Sequence, residues 1–297
     1  MNPIDKIHHI SAIVGDPQEN LQFYRDVLGL RLVKQTVNFD DEYTYHLYYS
    51  NQSVDNGTII TFFPWSNAHK GRVGSGQVGT IAFRIPKGTT AYWKEHLAKH
   101  QISVKETELF NQPTLELQDS HDLSLALVEG VETADSAAIL GFHGTVLLSA
   151  DPEATSNTLV NDLGLESAVT TEKSYSFYTK GTQKHQIIVP KTVMKFGRWG
   201  VGTVHHIAWS VPTYESQKQW QDYLYTHHYS VTEIKDRNYF KAIYFQEHGD
   251  IIFEIATETP GFTVDESFEN LGKQLMLPPQ FEAQRAEIIS RLPRLDV

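Results

Sequence analysis

The sequence predicts an α+β fold assembled from four βαβββ modules. Three observations predict it. A doubled histidine opens a β-type run twice, as Ile7-His-His-Ile-Ser-Ala-Ile-Val14 and as Gly202-Thr-Val-His-His-Ile-Ala-Trp-Ser-Val211. Asp16-Pro-Gln-Glu19 and Asp151-Pro-Glu-Ala154 each start a helix, and the helices stop at Gly29 and Gly164, the same distance from their aspartates. Strand-like runs follow each helix. Repetition at this scale constrains a fold more than local propensity does.

The first module covers 7–65. Its opening run is β-branched and free of breakers. Asp16 caps the helix, Pro17 suits the first helical position and Glu19 completes a capping box. Leu21, Tyr24, Val27 and Leu28 recur at helical spacing before Gly29. Strands are expected over 30–39, 44–49 and 58–63. The second module, 77–129, opens with Val78-Gly-Thr-Ile-Ala-Phe83, with a helix over 90–100 and a last strand over 123–128. The third spans 141–191. The fourth, 202–262, has a helix over 214–227 and a last strand over 251–255. By sequence order this divides the chain into an N-terminal pair, 1–138, and a C-terminal pair, 139–297.

The joints 66–77, 130–138 and 193–202 are rich in glycine or in small and acidic residues. Gly71-x-x-Gly74-x-Gly76 leads into a strand, not the helix N-terminus a phosphate needs, so it is no nucleotide motif. A tail, 264–297, is broken at Leu277-Pro-Pro279. Phe281, Ile288, Ile289 and Leu292 then give it the apolar face of a C-terminal helix packed on the body.

Composition bounds the function. With 40% hydrophobic and 21% charged residues the chain can build a packed core. A net charge of −11 leaves no surplus cation for nucleic acid. No apolar run approaches a membrane span. The absence of cysteine excludes disulfides, thiolate metal sites and a cysteine nucleophile. No signal peptide is apparent, and a cytoplasmic protein is expected. The sequence leaves room for a homo-oligomer.

The modules differ where chemistry would sit. Aligning the first strands puts His9 and His206 in one column, with Thr80 and Gly144 in the other two modules. Aligning the last strands of modules one and four puts Glu254 opposite Phe62, and module two has Ala126 there. Glu254 interrupts the apolar run Ile-Ile-Phe-Glu-Ile-Ala, where a carboxylate needs a partner or a metal. Two imidazoles and one carboxylate are the set that holds non-haem Fe(II) with open positions, and Mn(II) is an alternative. One site fed by modules one and four requires those two to cup together, leaving two and three to pair without metal.

These openings, with Asp26-Val-Leu-Gly-Leu30 and the strand of Glu254, resemble the vicinal oxygen chelate superfamily, the glyoxalase/extradiol-dioxygenase fold. Thr36-Val-Asn-Phe-Asp40, Tyr45-His-Leu-Tyr-Tyr49, Phe62-Phe-Pro-Trp65, Asp236-Arg237, Ile243-Tyr-Phe245 and Phe253-Glu-Ile-Ala-Thr257 resemble its hydroquinone-type ring-cleaving dioxygenases. The resemblance spans nearly the whole chain. It implies two half-barrels, iron ligands at His9, His206 and Glu254, and supporting catalytic residues at His8, His205, Arg237 and Tyr244. A family threonine near the metal is Ser11 here. The implied activity is Fe(II)-dependent opening of methyl- or chloro-substituted hydroquinones with O2, and the implied role is quinone detoxification. Regular alternation along a strand would point His8 away from His9. The rival readings are a glyoxalase-like metal-dependent lyase or isomerase, disfavoured by Phe62 in its fourth-ligand column, and a non-catalytic binder of aromatic compounds.

Overall fold

The computed structural model describes residues 2–297. Module one supplies β1 (Ile7–Val14), β2 (Arg31–Asn38), β3 (Asp41–Ser50) and β4 (Ile59–Pro64). Module two supplies β5 (Gln77–Ile85), β6 (Lys105–Leu109), β7 (Gln112–Gln118) and β8 (Ser124–Glu129). Module three supplies β9 (Gly141–Leu148), β10 (Glu166–Ser167), β11 (Ser174–Tyr178) and β12 (Gln186–Pro190). Module four supplies β13 (Thr203–Val211), β14 (Lys235–Asp236), β15 (Phe240–Gln246) and β16 (Ile252–Pro260).

These strands form two eight-stranded sheets, each curled into a half-barrel. One runs β14-β15-β16-β13-β1-β4-β3-β2, so modules four and one share it. The other runs β10-β11-β12-β9-β5-β8-β7-β6 and belongs to modules three and two. Sequence neighbours are thus not sheet partners. The antiparallel pairs β1–β13 and β5–β9 hold the centres of the two sheets.

Both faces of the first sheet are covered. Ile7, Ile10, Ile207 and Phe253 join the main core with Leu21 and Leu224 from the helices. Ala208, Ala256, Tyr48 and Phe240 form a second apolar cluster on the other face. β1 is therefore buried along its whole length, and no polar alternation marks which face is which.

The helices expected at 16–29 and after Asp151 begin as drawn. Asp16 accepts from the backbone N–H groups of Gln18 and Glu19, and Asp151 from that of Ala154. Each then widens into a π-helical turn, with Leu28 N–H bonded to Phe23 O and Leu163 N–H to Thr158 O, both at 3.0 Å. A five-residue hydrogen-bond step is invisible to a 3.6-residue pattern.

The glycine run of the first joint has a packing reason. The 66–76 and 193–202 segments run against each other, with bridges between Arg72 and Arg198 and between Ser75 and Phe196. A Cβ on Gly74 would lie 2.2 Å from the Lys195 carbonyl oxygen, so only glycine admits the crossing. The tail does end in a helix, Arg285–Arg291, burying Ile288. Before it, the chain straps across β2. Met276 N–H bonds Gln35 O at 2.9 Å, and fully buried Lys34 pairs with Asp265 at 2.6 Å and with Glu266.

Glu247, 2% exposed in the turn between β15 and β16, joins modules three and four. It accepts from Ile251 N–H at 3.1 Å and from the Thr155 hydroxyl at 2.8 Å. Burial pushes its carboxyl up to about 7 from an ordinary 4.5. Between those values the folded chain keeps a proton that the unfolded chain loses, so stability falls as pH rises through the window. Glu247→Gln should leave the melting temperature near wild type at about pH 5 and raise it clearly at about pH 8, by up to about 3 kcal/mol of stability. Thermal melts at both pH values check it.

Candidate metal centre

The central pairing of the first sheet builds the site. β1 and β13 run antiparallel, and each carries a bulge. Ile7 pairs with Trp209 but His9 with Ala208, so β1 has an extra residue at His8. Ser11 pairs with His206 but Ala12 with Val204, so β13 has an extra residue at His205. The doubled histidines are these bulges. A bulge breaks alternation and re-aims side chains, and adjacent rings meet edge-on at 5.0 Å in both pairs. The expectation from a regular strand, that the neighbours point apart, therefore fails at both places.

The bulges set the ring protons. His8 Nε2 lies 3.1 Å from the Thr257 carbonyl oxygen and can only donate there. Burial holds the His8 imidazole down at about 3, so it is neutral and that is its one proton. His8 Nδ1 must then accept from His9 Nδ1, 2.8 Å away. His9 Nδ1 is thereby engaged, and Nε2 is the ring nitrogen turned to His206 and Glu254. In the second pair, Nδ1 of His205 and Nδ1 of His206 are 2.7 Å apart.

His9 Nε2 is 3.2 Å from His206 Nε2 and 3.4 Å from Glu254 Oε2, and His206 Nε2 is 2.9 Å from the same oxygen. The structure thus brings His9, His206 and Glu254 together from opposite ends of the chain. All three are buried, and neither Glu254 oxygen has a hydrogen-bond partner of proper geometry. Burial pushes the Glu254 carboxyl up, but His9 and His206 outweigh it and hold it well below the usual carboxylate range. Burial lowers His206. A buried carboxylate and two buried imidazoles thus turn their donor atoms to one point. That arrangement suits a cation, since a buried charge left unpaired costs several kcal/mol. Donors bound side by side to one ion at about 2.1 Å stand about 3 Å apart, as these do. The donor set fits a divalent metal.

The register also corrects one column. β1 pairs with β4 as Ser11 with Thr61, while β13 pairs with β16 as Ala208 with Glu254. The counterpart of Glu254 in module one is therefore Thr61, one residue before Phe62. Phe62 turns the other way and packs on Tyr24 at 4.3 Å. The other sheet repeats both bulges, at 79–80 and at His143. There the columns hold Thr80, Gly144 and Ala126. A Cβ on Gly144 would lie 1.8 Å from the Gln186 carbonyl oxygen, so that half has no room for a ligand.

A cavity of about 290 Å³ opens beside the three donors. An apolar cavity of about 150 Å³ takes benzene, so this one has room for a substituted ring and a second small molecule. One wall is a column of rings. Tyr48 and His46 are 4.1 Å apart, His46 and Phe63 4.4 Å, Phe63 and Trp65 5.6 Å, with interplanar angles of 36°, 38° and 26°. His205, Arg237 and Tyr244 also line the cavity. Arg237 donates from Nε to Tyr244 OH at 3.3 Å and from Nη2 to Asp40 at 2.9 Å. Tyr244 pairs across strands with Glu254, and burial and that charge raise its phenol, so it stays a neutral donor. His8 does not reach this cavity. It lines a separate void of about 160 Å³ with Glu258 and Phe262, behind His9. A larger open groove of about 930 Å³ between modules one and two carries neither histidine pair.

Sequence reasoning missed His46, Tyr48 and Thr61. Spacing of two along β3 was the available signal: His46 and Tyr48 share a face, as do Thr61 and Phe63 on β4.

Two curled sheets of paired βαβββ modules, with a buried two-histidine, one-carboxylate cluster in one of them that could hold a metal ion, define a protein of the glyoxalase fold. The chain belongs to the glyoxalase/bleomycin resistance protein/dioxygenase superfamily, whose family model matches residues 6–111. It is 47% identical to MhqO of Bacillus subtilis, named provisionally a ring-cleaving dioxygenase, over 95% of this chain and 94% of that one. It is 30% identical to the chlorohydroquinone/hydroquinone 1,2-dioxygenase of Sphingobium indicum, over 96% and 95% of the two chains. A crystal structure of a Bacillus subtilis protein described provisionally as a dioxygenase superposes with a TM-score of 0.96 at 45% identity, covering 100% of this chain and 99% of that one.

Two outcomes are expected from this geometry. Glu254→Gln should abolish the stabilisation that added divalent metal gives chelator-treated wild type. His8→Phe should weaken metal binding by about 10- to 100-fold, as loss of an orienting partner does. Metal titration followed by thermal shift checks both.

Proposed function

We propose that this protein is an Fe(II)-dependent ring-cleaving dioxygenase acting on hydroquinone-type rings with methyl or chloro substituents, with Mn(II) as the alternative metal. The observation that carries the reading is three donors converging beside a cavity walled by stacked rings. A two-histidine, one-carboxylate set with open positions suits Fe(II) oxygen chemistry. The curated relatives named as ring-cleaving and hydroquinone dioxygenases support the substrate class.

When bound, the metal would supply a Lewis acid and a path for electrons from an electron-rich ring to O2. The chain's own groups do the rest. The column of Tyr48, His46, Phe63 and Trp65 holds an aromatic face and excludes water. Arg237, fixed between Asp40 and Tyr244, puts a positive charge where negative charge develops on oxygen. Tyr244 OH accepts from Arg237 and keeps its own proton to donate. With His206 Nε2 given over to the metal position, His206 Nδ1–H donates to His205, and His205 turns its Nε2–H to the cavity.

A glyoxalase-like lyase or isomerase would use the same fold. Thr61, already bonded to Ser11 and His46, stands where a fourth side-chain ligand would be expected, which favours the open set. A metal-free binder of aromatics would have no use for Glu254.

The test is oxygen consumption by protein loaded with Fe(II) under argon, supplied with methyl- or chlorohydroquinone. One O2 should be taken up per ring opened, with stoichiometric iron. Tight zinc or nickel with no uptake on any hydroquinone or catechol overturns the reading in favour of the lyase. Tyr244→Phe should lower kcat by about 10²-fold with little change in KM, read in the same assay.

A further inference from the structure

Ser11, Thr61, His46 and Tyr48 form an unbroken hydrogen-bonded row beneath the cavity. Ser11 Oγ lies 2.7 Å from Thr61 Oγ1. Thr61 Oγ1 lies 2.9 Å from His46 Nε2, and His46 Nδ1 lies 2.9 Å from Tyr48 OH. All four side chains are buried. Burial, with His9, His206 and Arg237 nearby, drives the His46 imidazole well below its usual range, so it is neutral. Burial likewise keeps Tyr48 protonated.

Every link joins groups that can both donate and accept. The row can therefore be polarised either way. In one state Tyr48 donates to Nδ1, Nε2–H donates to Thr61, and Thr61 donates to Ser11. In the other state each bond is reversed and His46 is the other tautomer. Both terminal residues line the cavity, and neither terminal hydroxyl has a second partner among the described residues. The ends stand on different strands, either side of β4. Ser11 is on the strand of His9, whereas Tyr48 is on β3, against Tyr239 and Phe262.

We propose that this row is a reversible proton relay joining its Ser11 end, on the strand of His9, to its Tyr48 end on β3, and that it suits an aromatic diol whose two oxygens lie at opposite ends of the ring, one toward each end of the row. This rests on the reading of the cavity as the site of hydroquinone cleavage. The substrate hydroxyl at the Tyr48 end gives its proton to the Tyr48 oxygen. Tyr48 passes its own to His46 Nδ1, His46 passes that on Nε2 to Thr61, and Thr61 passes its own to Ser11. Ser11 delivers its proton to an oxygen of the reacting molecule at its own end of the cavity. One O–H bond breaks, one forms, and no residue ends charged. Water entering after the product leaves returns a proton in the opposite direction and resets the row. A catechol, with both oxygens at the Ser11 end, would leave the Tyr48 end idle.

The test has two arms. In the first, nitrogen NMR of the zinc-loaded full chain reads the His46 ring. A relay gives both ring nitrogens signals averaged between the protonated and bare forms, and Thr61→Val collapses them to one tautomer. A single fixed tautomer in wild type, unchanged in Thr61→Val, overturns the relay. In the second, Thr61→Val should lower kcat on methylhydroquinone by about 10- to 100-fold at unchanged KM, with Thr61→Ser restoring it. Thr61→Val as active as an active wild type overturns the relay alone. A wild type inactive on every aromatic diol sinks the assignment of activity, and the NMR arm still decides whether the row relays protons.

Discussion

The antiparallel pairing of β1 with β13 is the constraint on which the site depends. It brings residues from opposite ends of the chain side by side. Its two bulges turn each histidine doublet from an alternating pair into a bonded pair. Were the strands regular, His8 and His205 would face away from their neighbours, and nothing would fix the tautomers of His9 and His206. The parallel partner β16 then adds Glu254 in register. Three donors are thus placed by three strands whose backbone hydrogen bonds make them rigid, and ligands held on sheet are held more closely than ligands on loops.

The second sheet shows what belongs to the fold and what to the chemistry. It keeps the same central pairing and the same bulges. His143 even stands where His205 stands, packed on Phe110 at 4.9 Å. Yet Gly144 stands in the column of His206, and the backbone of Gln186 closes over it. The bulge is therefore a property of the βαβββ pairing, and the donor cluster arises where imidazoles and a carboxylate occupy its columns. The second half contributes packing, and the two joints that link it to the first sheet cross each other at the glycine-rich segments.

Charge is handled differently at two buried places. Lys34 is fully buried but answered by Asp265 and Glu266 of the tail, which ties the strap to the sheet. Glu254 faces only the two imidazoles of His9 and His206, with no lysine or arginine paired to it among the described residues. That arrangement suits an ion where the first needs none.

The sequence by itself determined the repeat, the module count, the convergence of His9, His206 and Glu254, and the pairing of modules one and four. Each follows from residue identity in a repeating pattern, because copies of one framework expose chemistry through their differences. Arg237 and Tyr244 were also named from the sequence, through resemblance, and the structure puts both on the cavity wall. Tertiary structure alone decided the bulges, since an extra residue in a strand carries no signature of its own. With them it decided that His8 lies behind His9 while His205 faces the cavity, and that Thr61, not Phe62, mirrors Glu254. It also decided the row from Ser11 to Tyr48. Those contacts join three strands, and β1 and β3 reach their shared wall only through β4, so no local pattern in the chain could contain them.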